Sequence, residues 1–418
     1  MINQLKNKYL QHRETIHNFK WRAIQVGAKQ GTTFLIFFIA AYFLMPEQLG
    51  LFSYLMAVIG LFMIICDFGF SPSTSKYVAE LKTKNSKKLN SVLFSISTII
   101  ILMATLVSLS IVFFGKYIFE EYTLLLLLIP YLYFMPLSSV ADGVYRGLKD
   151  FKKLSFISIV VAIISLPTAF ILIKSYGLIG AIISQNLLFG LLTIGLFVFR
   201  KDMEFNFDKD VTKKVVRYAV IIGLANIAFF LYTRVDILIL KQFGFIAEIG
   251  YYEIVNKVFK LLFIPAVILG QVLAPNTTRY ITLNDYKTVK NKIIKILPMF
   301  IVGGIILSLI LYFIFPIIIK IFFTEYYTEA FITIMTILLI LLPIKLWGVF
   351  LTNGFITPGG FAKITAIATM LGGISNVILS LIFINYFGFL GVFFATLIVH
   401  TLSILIQFLF FILKLKNE

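Results

Sequence analysis

Several charged residues sit inside long runs of apolar side chains, and their spacing is not random. Arg22, Gln25, Lys29 and Thr32 fall at offsets of three, seven and ten residues, which keeps them on one face of a helix. Glu253, Lys257 and Lys260 form a second such stripe, with Glu253 placed for an i,i+4 pair with Lys257. Arg234 and Asp236 are two apart and point to nearly opposite sides, and Asp67 and Lys345 complete the set. Ionisable residues inside membrane spans mark ligand or ion sites, so Lys29, Arg234, Lys257 and Lys260 are candidate substrate-binding cations. Asp67, Asp236 and Glu253 are candidate ion-coupling or counter-charge residues.

A charge at the centre of a bilayer costs about 2.5–3.5 kcal/mol on the lenient insertion scale. Facing lipid, Arg234, Lys257 and Lys260 together would cost roughly 8–10 kcal/mol on that scale, comparable to the stability of a whole domain. They are expected to face water, ligand or each other. Structural alternatives stay open: Lys29 and Lys345 snorkelling to the interface, Lys257 neutralised by Glu253, and Arg234 reaching the outer headgroups. His400, Asn186, Gln271 and Asn376 read as packing and interhelical hydrogen-bonding residues.

The surroundings of these charges set the solvent. Of the 418 residues 60% are hydrophobic and 13% charged, with mean hydropathy +0.98, far from soluble composition. The formal net charge of +18 would suggest nucleic acid in a soluble chain, but the basic residues cluster in alternate breaks between apolar runs, so no nucleic-acid partner is expected. A single cysteine, Cys66, can build neither a disulfide framework nor a Cys-rich metal site. No HExxH, P-loop or CxxC pattern occurs, so no enzyme, cofactor or metal site is indicated. Work done by such a chain is expected to draw on an ion or membrane-potential gradient, with H+ or Na+ as the candidate coupling ion.

At about 20 residues per span we read twelve segments: Trp21–Met45, Leu49–Phe70, Leu89–Phe114, Tyr122–Ala141, Leu154–Ile173, Leu178–Phe199, Val215–Leu240, Ile249–Ala274, Ile293–Ile319, Ala330–Leu351, Ile364–Asn385 and Phe389–Leu413. One set of breaks holds Lys6, Lys8, Arg13, Lys20 and Arg22, then Lys76, Lys82, Lys84, Lys87 and Lys88, then Arg146, Lys149, Lys152 and Lys153. It continues with Arg200, Lys201, Lys209, Lys213, Lys214 and Arg217, with Arg279 to Lys295, and with Lys363, Lys414 and Lys416. The opposite set holds only Lys116, Lys174, Lys241 and Lys320. The positive-inside rule predicts that both termini are cytoplasmic. The polar stretch from Met1 to Lys20 does not read as a cleavable signal.

The chain repeats itself. Ser175-Tyr176-Gly177-Leu178-Ile179-Gly180-Ala181 is echoed by Tyr386-Phe387-Gly388-Phe389-Leu390-Gly391-Val392, and Phe151-Lys152-Lys153-Leu154 by Phe361-Ala362-Lys363-Ile364. A weaker echo joins Gly50 to Gly250. Six spans per copy give both copies the same orientation, so the predicted fold is all-α: two six-helix lobes, residues 1–210 and 211–418, related by a pseudo-twofold along the membrane normal. Lobes of that kind rock around a midplane site and thereby transport.

Several stretches resemble the O-antigen and capsule polysaccharide flippases of the multidrug/oligosaccharidyl-lipid/polysaccharide exporter superfamily. They are Asn18 to Arg22, Pro46 to Gly50, Asp67-Phe68-Gly69 followed by Ser71 to Ser75, Arg234-Val235-Asp236, Glu248 to Tyr252, and Lys257-Val258-Phe259. The resemblance implies outward movement of a lipid-pyrophosphate-linked oligosaccharide across the bacterial cytoplasmic membrane by alternating access. It also implies cavity cations at Lys29, Arg234 and Lys260, membrane lipids as surroundings and a polysaccharide polymerase as partner. Two alternatives remain: a cation-coupled multidrug exporter, whose site should carry carboxylates, and a membrane polymerase, which should carry a sizeable outer loop absent here.

Overall fold

In lipid each backbone N–H and C=O must be satisfied within the protein, and helices do this one segment at a time. The computed structural model describes residues 2–84, 89–199 and 206–417, and every regular element among them is helical. Of the basic residues used for orientation, Lys87, Lys88, Arg200 and Lys201 lie outside the described residues. The side chains of Lys6, Lys8, Arg13, Lys84 and Lys416 do as well.

The helices are α1 (Ile2–Phe43), α2 (Pro46–Asp67), α3 (Phe70–Lys84), α4 (Leu89–Ile118), α5 (Tyr122–Leu127), α6 (Ile129–Leu148) and α7 (Phe151–Val198). They continue with α8 (Lys209–Thr233), α9 (Val235–Gln242), α10 (Ile246–Thr282), α11 (Tyr286–Phe322), α12 (Glu329–Leu351), α13 (Ala362–Phe387) and α14 (Phe389–Asn417). Eleven helical stretches among the described residues are long and apolar enough to cross a membrane. The count of twelve in the sequence reading is recovered in α7, whose 48 residues are two helices, the fifth and sixth spans, joined across a kink at Gly177.

The chain packs as two compact units, Met1–Phe43 with Val58–Asn226 and Leu44–Ala57 with Ile227–Glu418, so the division falls inside α2 and α8. In the first unit α1 lies against α7, and α6 against α3, α4 and α7. Its interior is built from Ile36, Leu93, Ile96, Leu128 and Leu132. In the second unit α12 packs against α10, α11 and α14, and α13 pairs with α14. Phe331, Phe350, Phe355 and Phe393 fill its interior.

What stays outside is as apolar as what is inside. On α11, Met299, Val302, Ile306, Leu309, Phe313, Ile317 and Ile321 form an exposed row at helical spacing. In water such a row would be an association surface; in a bilayer it is the face the lipid wets.

The repeated glycines do the same work in both halves of the sequence. Gly177 (φ 53°, ψ −125°) and Gly388 (φ 58°, ψ −144°) take a backbone conformation almost closed to other residues. Three residues on, Gly180 lies against the backbone of Leu172 and Ile173, and Gly391 against that of Phe383 and Ile384. Each pair folds two membrane helices back on each other without a loop. The weaker echo is also physical: a Cβ on Gly50 would meet the carbonyl of Ile246, and a Cβ on Gly250 the carbonyl of Pro46. Nearby, Tyr326 donates to the carbonyl oxygen of Leu44 at 2.8 Å, and its burial pushes the phenol pKa up.

Gly388→Ala should destabilise the protein by about 1–3 kcal/mol through its positive φ. Gly303→Ala, in α11 with nothing within 4 Å of the added Cβ, should instead stabilise by up to about 1 kcal/mol through helix propensity. Thermal unfolding of the two detergent-purified variants checks both signs.

Candidate functional site

In the first unit, α1 supplies Arg22, Gln25 and Lys29, and α6 meets them with an acid. Asp142 stands 2.6 Å from Arg146 Nε, 3.7 Å from Arg22 and 4.0 Å from Lys29 Nζ. Gln25 donates to its Oδ2 at 3.2 Å. Two glycines bring the acid there. Gly143 and Gly147 let α6 approach the backbone of Ser71 and Ser75 on α3 so closely that a Cβ would collide, and this contact turns Asp142 toward α1. Ser71 ties the junction, donating to Ser139 O and accepting from Arg146, both at 2.7 Å. The Lys29 ammonium also lies 5.9 Å from the Phe189 ring centroid, within cation–π range. Thr32, on the same stripe, spends its hydroxyl on Ala28 of its own helix. Asp67, half-buried at the end of α2, precedes the positive-φ pair Phe68 and Gly69 and lies in electrostatic range of Lys29 and Arg146.

In the second unit the seventh span is broken. Arg234, between α8 and α9, has φ −136° and ψ −15°. Its guanidinium reaches Glu253 Oε1 at 2.8 Å, the same oxygen to which Asn256 donates at 2.8 Å. Glu253, whose spacing suggested Lys257, is reached by Arg234 as well, because the break frees that side chain to cross to α10. Asp236, one residue into α9, faces elsewhere. It accepts from Asn376 on α13 at 2.7 Å, from Thr396 on α14 at 3.0 Å and from Tyr252 on α10 at 3.4 Å. Asn376 Oδ1 and, one turn on, Ser380 Oγ are buried oxygens without a hydrogen-bond partner. Lys257 is half-buried and Lys260 exposed on α10. Lys345 lies on α12 in electrostatic range of Asp236 and His400. His400 is buried with its ring centroid 4.0 Å from that of Tyr232.

The two clusters share a sign. Arg22, Lys29 and Arg146 stand with Asp67 and Asp142 in the first, and Arg234, Lys257, Lys260 and Lys345 with Asp236 and Glu253 in the second. Cations exceed acids in both. Among the described residues no group of three or more His, Cys, Asp or Glu side chains is arranged to hold a metal ion.

Residues 16–281, more than half of the chain, match the family described as polysaccharide biosynthesis protein. The chain belongs to that family. An uncharacterized membrane protein of Methanocaldococcus jannaschii is 25% identical over 415 residues, spanning 93% of this chain and 95% of that one. The fold is that of the multidrug/oligosaccharidyl-lipid/polysaccharide exporter superfamily. An inward-facing multidrug resistance transporter of that superfamily superposes with TM-score 0.77 at 13% identity, over 95% of this chain and 98% of its own. The lipid II flippase MurJ in an inward closed conformation superposes with TM-score 0.71 at 19% identity, over 95% and 86%.

The seven sequence candidates divide between the units: Lys29 and Asp67 in the first, Arg234, Asp236, Glu253, Lys257 and Lys260 in the second. Arg22, Asp142 and Arg146 were missed as site residues. The sequence reading ended the fourth span at Ala141 and left Asp142 and Arg146 in a basic break, whereas α6 runs on to Leu148.

Removing one member of the Arg234–Glu253 pair strands its partner. Glu253 is 4% exposed and Arg234 28%, so Arg234→Leu should cost up to about 3–5 kcal/mol, the range for a broken buried pair. Adding Glu253→Leu should recover part of that loss in thermal unfolding. A double variant less stable than the single would show that the pair is not the relevant unit.

Proposed function

We propose that the protein is a flippase that moves a lipid-pyrophosphate-linked oligosaccharide, an O-antigen or capsule repeat unit, across the cytoplasmic membrane, with both termini in the cytoplasm. The observation that carries this reading is the surplus of Lys and Arg over Asp and Glu in the polar clusters of both units. A pyrophosphate needs fixed cations with free donors, and Arg and Lys supply them; a site for cationic drugs needs the opposite surplus. The family description, polysaccharide biosynthesis protein, supports the same substrate class. No bond is made or broken in such a cycle, and a polysaccharide polymerase on the outer side would consume the product.

Export requires a driving ion, and Asp236 is the group best suited to take one. Its carboxylate, the free amide oxygen of Asn376 and the hydroxyls of Thr396 and Ser380 are oxygen donors on three helices, the ligand chemistry of a hard cation such as Na+. A proton would serve at the same carboxylate.

Lipid-linked precursors should accumulate in the inner leaflet of a deletion strain. Lys260→Gln should lower surface polysaccharide several-fold at matched protein abundance, and Lys260→Arg should retain more because it keeps the charge. Full export by Lys29, Arg234 and Lys260 neutralised singly and together would reject a cationic recognition site. Restored export by acid-retaining variants alone, with drug efflux, would favour a multidrug exporter.

Asp236→Asn should abolish the Na+ or pH dependence of export at unchanged abundance. Transport into inverted vesicles at varied Na+ and fixed pH, then the reverse, identifies the ion, and an unaltered dependence in Asp236→Asn would move coupling elsewhere.

A further inference from the structure

The first unit holds three cations around one buried carboxylate, and together they carry more donors than that acid can take up. Asp142 Oδ1 faces Arg146 Nε and Arg22 as ion pairs, with neither Oδ1 nor Arg146 Nε in a hydrogen bond, and Oδ2 accepts from Gln25 and faces Lys29. The cations are not used up. Arg22, Lys29 and Arg146 have side chains 34%, 26% and 26% exposed against 9% for Asp142. Beyond Asp142, Arg22 donates to Gln25 and Arg146 to Ser71. Two guanidiniums and an ammonium carry thirteen N–H donors by their chemistry, several times what these acceptors take. The grip is also graded, from 2.6 Å at Arg146 to 4.0 Å at Lys29, the limit of an ion pair. Lys29 is held only loosely.

We propose that Asp142 is an internal substitute for the ligand's phosphate: it gathers Arg22, Lys29 and Arg146 when no ligand is present and yields Lys29 and Arg22 when phosphate oxygens arrive. The proposal rests on the flippase reading above and assigns the residue that sets how tightly the substrate is held. Without an acid at this point, three like charges would repel one another between substrates. They would also bind a pyrophosphate too tightly to let it leave, and a conducting site must bind weakly enough to release. Asp142 lowers the affinity by competing, and it is a positioning residue that never needs to touch the substrate. Asp67 contributes to the same field from the end of α2 but makes no ion pair within 4.0 Å among the described residues.

The test uses the full-length protein in nanodiscs of zwitterionic lipid, with farnesyl pyrophosphate as a soluble probe and calorimetry as the readout. Asp142→Asn should bind the probe about ten- to hundredfold more tightly than the unmodified protein, from the loss of one opposing charge at close range, while its export slows. Asp142→Glu should return both values to within a few-fold. A structural role alone would weaken binding, so the sign decides. In case three unopposed cations prevent folding, Arg146→Gln and the charge-balanced double variant Asp142→Asn/Arg146→Gln are compared, and the double should bind more tightly than the single. Equal or weaker binding in both acid-less variants, with measurable binding by the unmodified protein, overturns the role of Asp142 and leaves the flippase reading standing. Absence of probe binding by the unmodified protein and by Lys29→Gln alike would instead overturn the pyrophosphate reading and the proposal with it.

Discussion

A charged helix in a bilayer has to find another helix, because hydrocarbon offers neither water nor a counter-ion. That constraint organises both units. In the first it brings α1 to α6 through Asp142; in the second it brings α10 to the break at Arg234, and α9 to α13 and α14 through Asp236. The apolar faces carry no comparable instruction, since a leucine is as content against lipid as against its neighbour. Polar contacts and close glycine approaches therefore decide which faces meet, and the same polar contacts are what a ligand or an ion would use.

The economy of this has a cost in rigidity. Arg234 sits where a span is interrupted, and its backbone departs from helical geometry just where its side chain is needed. An uninterrupted α8 would have carried the guanidinium along a regular spiral. The break instead lets Arg234 and Asp236, two residues apart, serve different partners: Glu253 on α10 for the first, and Asn376 and Thr396 for the second. Discontinuous membrane helices of this kind are where transporters place ions and substrates.

Much of the fold was legible in the sequence because its signals are strong and local. Apolar runs gave the spans, and the Tyr-Gly-x-x-Gly echo marked Gly177 and Gly388, whose positive φ values explain why only glycine serves there. The echo also marked where the chain reverses, because α7 is two helices joined across a kink at Gly177, as α13 and α14 are joined at Gly388. The site was less legible. Treating Asp142 and Arg146 as loop residues followed from the habit of assigning charge to breaks. Gly143 and Gly147, four apart, were the available sign that a packed helix continued. The i,i+4 spacing of Glu253 and Lys257 described one helix and could not announce Arg234, because a local rule cannot see a guanidinium arriving from another element.

The contact of Gly50 with Gly250 has a genetic consequence. What a side chain at either position would strike is a backbone carbonyl, of Ile246 in one direction and Pro46 in the other. A carbonyl is present whatever amino acid occupies those positions. A lesion at one glycine therefore has no suppressor by substitution at the residue it collides with, unlike a clash between two side chains, where shrinking the partner restores the fit. Reversion must come from the altered codon itself or from changes elsewhere that shift a whole helix, and the two glycines cannot compensate for each other.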